Sequence, residues 1–175
     1  MNKILVAIDG AQHSDKTLKT AAEMARDKGS ELVILFACSQ NEPNEKQLDF
    51  AEKTCGRQFR NLVTGKELPT FSVSDSDGIK SISDYMQARE KLCNLYSTDL
   101  LERAATTVKN AGARAVTTIM EHGEVVKTIL DVASRETADT IVLGNCHKSS
   151  FAQFFSGCTA KEVLKKANCN AIIID

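Results

Sequence analysis

Two glycines near the end of the chain have a spacing that suits the binding of an anion. Gly144 follows a predicted strand, and Gly157 comes thirteen residues later, where a predicted helix begins. Glycine has no β-carbon, so backbone N–H groups can approach a phosphate closely. The unpaired amides of Cys158, Thr159 and Ala160 at the start of that helix would point toward the same phosphate. The spacing therefore predicts a phosphate-binding loop between Gly144 and Gly157.

Asp9 is the second residue with a predicted binding role. It directly follows the apolar run from Lys3 to Ile8, which has the composition of a buried strand. A carboxylate at a strand end can accept hydrogen bonds from a ribose hydroxyl or an amino group, or share a metal ion with phosphates. The alternative is a local role, in which Asp9 and Gly10 simply form the turn after the strand.

The elements that must position these residues follow a regular alternation. Hydrophobic patterning predicts strands at 3–8, 31–38, 114–120, 140–143 and 171–174, and helices at 14–28, 44–62, 83–110, 124–137 and 157–167. The third helix, 83–110, is expected to break near Ser97, and residues 70–80 are expected to form a loop. The order predicts a doubly wound α/β domain with a parallel sheet and helices on both faces.

Ligands of such sheets bind beyond the carboxyl ends of the strands. The predicted site therefore includes Ile8 with Asp9, Ala37 in the second strand, and Leu143 with Gly144 in the fourth strand. Thr159 joins them at the start of the last helix.

Composition restricts the class of protein. The chain has 175 residues and a formal net charge of -1, which fits one globular domain with an insert at about 41–83 and gives no global attraction to nucleic acid. The longest apolar run, Leu32 to Cys38, is too short to span a bilayer, and the first residues lack the pattern of a signal peptide. We expect a cytoplasmic protein without a membrane or nucleic-acid partner.

Catalytic and metal-binding signatures are not found in the sequence. The chain has no GxSxG, GxxxxGK[ST] or HExxH pattern, and its six cysteines form no CxxC pair. Cys146, His147 and Cys158 could be imagined around zinc, but adjacent ligands on one loop rarely complete a tetrahedron. We predict no catalytic residues and no protein-held metal, and at most slow hydrolytic turnover.

A family resemblance rests on three features: Asp9 after the first strand, the segment EHGEVVKTILDVASRETADTIVLG, and the two glycines before the last helix. Over residues 1–38 and 111–175 the chain resembles the universal stress proteins. The family's nucleotide-binding pattern is Gly, two residues, Gly, nine residues, Gly, then Ser or Thr. Its frame falls on Gly144, His147, Gly157 and Cys158, so two of the four residue types differ.

The resemblance implies a five-stranded parallel sheet of order 3-2-1-4-5, an adenine nucleotide alpha hydrolase-like fold, and a homodimer formed through the last strand. It also implies that ATP or AMP, with Mg²⁺ as an accompanying ion, binds in the crevice. The protein would then be a regulatory module of the stress response. It would act by a change of conformation or by a change in its binding to a protein partner that the sequence does not identify.

The two departures from the pattern leave a second hypothesis open. Cys158 would lose a side-chain hydrogen bond to phosphate, and His147 would add a side chain where the pattern has glycine; together these cost roughly 2–4 kcal/mol. Affinity would fall about 30- to 1,000-fold. The alternative is a nucleotide-free dimeric interaction protein with a degenerate ATP site, whose insert supplies the partner surface.

Overall fold

The computed structural model describes residues 2–10, 14–39, 42–66, 76–145 and 159–174. It contains two compact units, Met1–Gln40 with Leu100–Asp175 (unit 1) and Asn41–Asp99 (unit 2). The strands are β1 (Lys3–Ile8), β2 (Glu31–Cys38), β3 (Val116–His122), β4 (Thr140–Gly144) and β5 (Asn170–Ile174). The helices are α1 (Ser14–Lys28), α2 (Glu45–Cys55), α3 (Arg57–Val63), α4 (Ser76–Asn110), α5 (Val125–Arg135) and α6 (Thr159–Lys166).

Unit 1 contains a five-stranded sheet of order β3-β2-β1-β4-β5, in which all neighbouring strands are parallel. Central strands of a parallel sheet are covered on both faces, which explains why β1 and β2 are continuous apolar runs. This confirms the predicted doubly wound sheet and its order. Between β1 and β4 the connections run outward in opposite directions, so the topological switch point lies there.

One face of the sheet forms a hydrophobic core with α5 and α6. Side chains that alternate along the strands, such as Leu5, Val33 and Leu35, point to this face. They pack with Ile129 of α5 and Val163 of α6, which are 2% and 0% exposed. α1 packs against β1, β2 and β4. The short helices α5 and α6 are therefore fixed against the sheet by apolar burial, and their first residues lie at the carboxyl edge of the strands.

Unit 2 has its own small core, built by α2, α3 and the part of α4 that ends at Asp99. The buried residues of this core are Leu48, Ala51, Val63, Ala88 and Leu92. Arg60 of α3 holds three carboxylates of α2, with N–O distances of 3.1 Å to Glu45, 2.9 Å to Asp49 and 3.0 Å to Glu52. These ion pairs fix α3 against α2.

Three predictions about the helices of this region are wrong. The predicted helix 44–62 is divided into α2 and α3 by Gly56, whose φ of 88° no helix interior accepts. The predicted loop at 70–80 overlaps α4, which already begins at Ser76. α4 also continues through the predicted break, because the hydroxyls of Ser97 and Thr98 donate to the carbonyl of Asn94 within the helix.

The remaining boundaries agree to within a few residues. β3 covers Val116–His122 where 114–120 was predicted, and α5 ends at Arg135, two residues before the predicted end. The expectation of one domain with an insert at 41–83 stays a prediction. Among the described residues, no helix has both the length and the apolar character needed to cross a membrane.

The end of α5 contains a residue in an unfavourable backbone conformation. Thr137 has a φ of 52°, in the left-handed region. Its amide donates to the carbonyl of Ser134, and the next amide, of Ala138, donates to the carbonyl of Ala133 at 2.8 Å. This is the hydrogen-bond pattern of a helix end at which glycine is the usual residue. The β-branched side chain of Thr137 therefore costs conformational energy.

We expect Thr137→Gly to raise the free energy of unfolding by about 1 kcal/mol, because glycine relieves the left-handed strain and Thr137 is exposed. Urea denaturation of the two proteins measures the change. Thr137→Ala keeps a β-carbon and serves as the control that should gain little. A loss of stability in Thr137→Gly would contradict the assignment of strain.

Candidate functional site

The carboxyl ends of β1, β2 and β4 lie side by side at one edge of the sheet. Ala7 of β1 is the register partner of both Leu35 in β2 and Leu143 in β4. Asp9, Ala37 and Gly144 follow these positions within two residues. The structure thus brings the predicted residues of these three strands, Ile8, Asp9, Ala37, Leu143 and Gly144, to the same edge.

Asp9 and Gly10 form the first turn after β1. Ile8 is 7% exposed and belongs to the core, whereas Asp9 is exposed to solvent. Gly10 has a φ of 76°, a conformation that a residue with a side chain rarely adopts. The chain therefore leaves the sheet abruptly at Asp9, and the carboxylate lies at the switch point, where a ligand hydroxyl or amino group can donate to it.

Gly144 is the last residue of β4, and its lack of a side chain has a structural reason. A β-carbon at this position would lie 3.2 Å from Oγ1 of Thr17, which belongs to α1 and is 2% exposed. Such a contact is tighter than ordinary packing, and the stiff side chain of threonine has little room to move. Because Gly144 has no side chain, α1 can pack close to the end of β4. A direct role of Gly144 toward a phosphate stays a prediction.

Small side chains also line the sheet on the face of α5 and α6. Ala7 packs at the border of the core there, and Ala37 lies two residues beyond Leu35 on the same face. Both alanines are half-buried. Next to Ala37, its register partner Glu121 bonds Arg135 of α5 at 2.7 Å. Ala7 and Ala37 therefore present only methyl groups on this face of the sheet.

The start of α5 is closed by its own acid. Glu124 caps the helix, with its two carboxylate oxygens accepting from the amides of Val126 and Lys127, each at 2.9 Å. The bonds from Lys127 and Val126 hold the pKa of Glu124 below its ordinary value. Because Glu124 already accepts from these two amides, the start of α5 attracts an incoming anion more weakly than an uncapped helix start would.

α6 begins on the same face of the sheet, at Thr159. Ala160 and Val163 bury one side of this helix, 3% and 0% exposed, while Lys161 in its first turn is exposed. The first amides of a helix have no acceptor within the helix and favour an anion. The same turn contains both Lys161 and Glu162, and the carboxylate of Glu162 bonds Lys166 at 2.7 Å. The predicted residues His147, Gly157 and Cys158 lie outside the described residues.

The whole chain, residues 1–175, matches the universal stress protein family. The chain belongs to this family. A curated relative, universal stress protein YxiE of Bacillus subtilis (strain 168), is 27% identical over 173 residues, which cover 99% of this chain and 98% of the relative. This confirms the family that the sequence resemblance named.

Solved universal stress proteins share the fold at low identity. One, crystallised in complex with cAMP, has a TM-score of 0.62 and 17% identity, with 99% of this chain and 95% of that chain covered. Another, from Archaeoglobus fulgidus in complex with dAMP, has a TM-score of 0.54 and 19% identity, with 100% and 98% covered. Together with the strand order, these likenesses confirm the adenine nucleotide alpha hydrolase-like fold.

Three residues that shape this edge of the universal stress protein were missed by the sequence analysis. Thr17 carried no signal, because its contact with Gly144 joins residues far apart in the chain. Glu124 was read as the first residue of the helix, and its position just before an apolar repeat was the available sign of a cap. Gly123 belongs with them: its amide donates to the carbonyl of Cys38 at 3.1 Å, which fixes the turn between β3 and α5.

We expect Glu124→Gln to lower the thermal midpoint at neutral pH, because a neutral amide is a weaker cap than a carboxylate. The folded pKa of Glu124 lies below its ordinary value, so the stabilisation from Glu124 is present above that ordinary value and is lost as the pH falls through the folded pKa. The difference between the two midpoints should therefore shrink on acidification. A difference that stays constant from neutral to acidic pH would contradict the capping role.

Proposed function

We propose that this universal stress protein binds an adenine nucleotide, ATP or AMP, at the carboxyl edge between β1 and β4. The bound nucleotide changes the conformation or the partner binding of the protein. The base and ribose lie near Asp9 and Ala37, and the phosphate lies toward the start of α6 at Thr159. The module acts in the cytoplasm as a regulator of the stress response.

The observation that carries the proposal is the position of Asp9, which is exposed at the end of β1 and lies next to the end of β4 at the switch point. Glu124 closes the start of α5 with two hydrogen bonds, so an anion has little to bind there. We therefore assign the phosphate to the start of α6 at Thr159. Asp9 lies at the end of the neighbouring strand, so one ligand with a hydroxyl-bearing sugar and a phosphate can meet both.

The comparisons support the adenine class. The solved relatives in complex with cAMP and dAMP share the fold of this chain over at least 99% of its length. Both ligands combine adenine, a sugar and one phosphate. A Mg²⁺ ion that accompanies a nucleotide would be held mainly by the phosphates, with Asp9 as the carboxylate within the described edge that fits it.

A regulatory output requires a nucleotide that contacts two conformations of the chain differently. Gly144 and Thr17 offer a place for such a difference, because Gly144 ends β4 where Thr17 of α1 approaches it. A ligand that moves the end of β4 toward α1 would press on Thr17, and we propose that nucleotide occupancy changes the position of α1 in this way.

Replacement of the Asp9 carboxylate tests the proposed base-and-ribose end of the site. We expect Asp9→Asn to weaken binding of AMP at least about 10-fold, because a charge-assisted hydrogen bond becomes a neutral one. Isothermal titration calorimetry of the full chain with AMP, cAMP and ATP measures this. Asp27→Asn is the matched control: Asp27 is an exposed carboxylate at the other end of α1, bonded to Arg26 at 2.9 Å, and its loss should leave affinity unchanged.

Two results would contradict the proposal in different ways. Equal affinities of Asp9→Asn and the parent chain would remove Asp9 from the site while leaving nucleotide binding intact. No heat with any of the three nucleotides at millimolar concentration would support the alternative, a nucleotide-free interaction protein in which His147 and Cys158 mark a degenerate site.

We also propose that two copies pair through β5. Among the described residues, β5 pairs with β4 alone, so its other side is an open edge. The amide of Asn170 donates to Asp139, and the carbonyl of Ile174 accepts from Asn145 at 2.8 Å. These two residues face β4, and by alternation the N–H and C=O groups of Ala171 and Ile173 face away. A second copy related by a two-fold axis can bond to them.

Ala171→Pro separates dimer pairing from the fold, because proline removes an outward N–H and leaves the bonds to β4 in place. We expect this variant to be a monomer by light scattering at micromolar concentration, with a cooperative thermal transition. Ala171→Ser keeps the N–H and should remain a dimer. A parent chain that is already monomeric, or a folded Ala171→Pro that stays dimeric, would contradict pairing through β5.

A further inference from the structure

A small cavity lies on the opposite face of the sheet from α5 and α6, where α1 and α4 meet the end of β1. Its volume is about 80 Å³, and all of its lining residues belong to unit 1. A dry cavity of roughly 150 Å³ accommodates benzene, so this space suits a still smaller molecule and is far too small for a nucleotide. The cavity lies on the other face of the sheet from Ala37 and α6, although Ile8 lines it and also belongs to the predicted nucleotide edge.

The floor of the cavity is apolar. Ile8, Leu18 and Ala104 line it and are 7%, 3% and 2% exposed. These side chains come from β1, α1 and α4, so the floor is fixed by three elements. A methyl group placed on it would leave water and gain contact with a rigid apolar surface.

Two side chains of opposite charge line the same cavity. Asp15 in the first turn of α1 and Arg103 of α4 both line it, and both are exposed toward solvent. Thr107 also lines the cavity, and its hydroxyl donates to the carbonyl of Arg103, so the oxygen keeps lone pairs with which it can act as an acceptor. A guanidinium has five donors and can serve several acceptors at once, as Arg60 does with three carboxylates.

We propose that this cavity binds a small aliphatic amino acid as its zwitterion. The ammonium group donates to the carboxylate of Asp15 and to Thr107, the carboxylate accepts from Arg103, and a side chain no larger than methyl rests on the floor near Ala104. The ligand carries no net charge, and each of its charges meets a group of opposite sign, which is what entry into a partly apolar space requires. This inference is independent of nucleotide binding.

L-alanine is the probe, and backbone amide shifts of the ¹⁵N-labelled full chain are the measurement. We expect saturable shifts at Gly10, Leu18 and Ala104, with a dissociation constant in the roughly millimolar range. Propionate lacks the ammonium group and ethylamine lacks the carboxylate; each should bind at least about 10-fold more weakly. Leucine keeps both charges but exceeds the volume, so it should also bind weakly.

Two variants locate the site. Ala104→Leu fills the cavity and should abolish the alanine-dependent shifts, while Asp15→Asn should weaken them at least about 10-fold. Asp27→Asn removes a charge from the same helix away from the cavity and should change nothing. Thermal transitions of all three variants establish that they are folded.

The proposal is overturned if L-alanine produces no saturable shift at concentrations up to roughly 100 mM. It is also overturned if propionate matches L-alanine, or if folded Ala104→Leu responds like the parent chain.

Discussion

The parallel pairing of β1 with β4 is the constraint on which the rest of the site depends. These strands are far apart in sequence, and their register places Ala7 beside Leu143. Only this pairing brings Asp9 next to Gly144 at one edge and gives the sheet a switch point at its centre. The β-carbon that Gly144 lacks would crowd Thr17 at 3.2 Å, so α1 and β4 fit together closely where the proposed ligand enters.

The start of α5 is already occupied by an acid of the chain itself. α5 and α6 both pack on the same face of the sheet through buried apolar side chains, and Glu124 supplies the negative charge that the start of α5 favours. The pKa of Glu124, lowered by the amides of Lys127 and Val126, is a sign of how well that position suits an anion. The chain thus contains an internal example of the interaction that we propose between α6 and a phosphate.

The sequence predicted the strands from local patterning, but it missed some helix boundaries and the contacts between residues that are far apart in the chain. The apolar runs 3–8 and 31–38 fixed β1 and β2 because a buried parallel strand has that composition. The division at Gly56 and the continuation of α4 through Ser97 were missed, since serine and glycine occur both inside and outside helices. The packing reason for Gly144 could not be predicted, because Thr17 approaches it only in the folded sheet. The roles of His147, Gly157 and Cys158 stay predictions.

Backbone hydrogen exchange of the full chain, with and without AMP, tests the central claim most directly. The account predicts that AMP slows exchange of the first amides of α6, Thr159 to Lys161, and leaves the capped amides of Val126 and Lys127 unchanged. Protection of the α5 amides instead of the α6 amides, or no protection at this edge under saturating AMP, would contradict it.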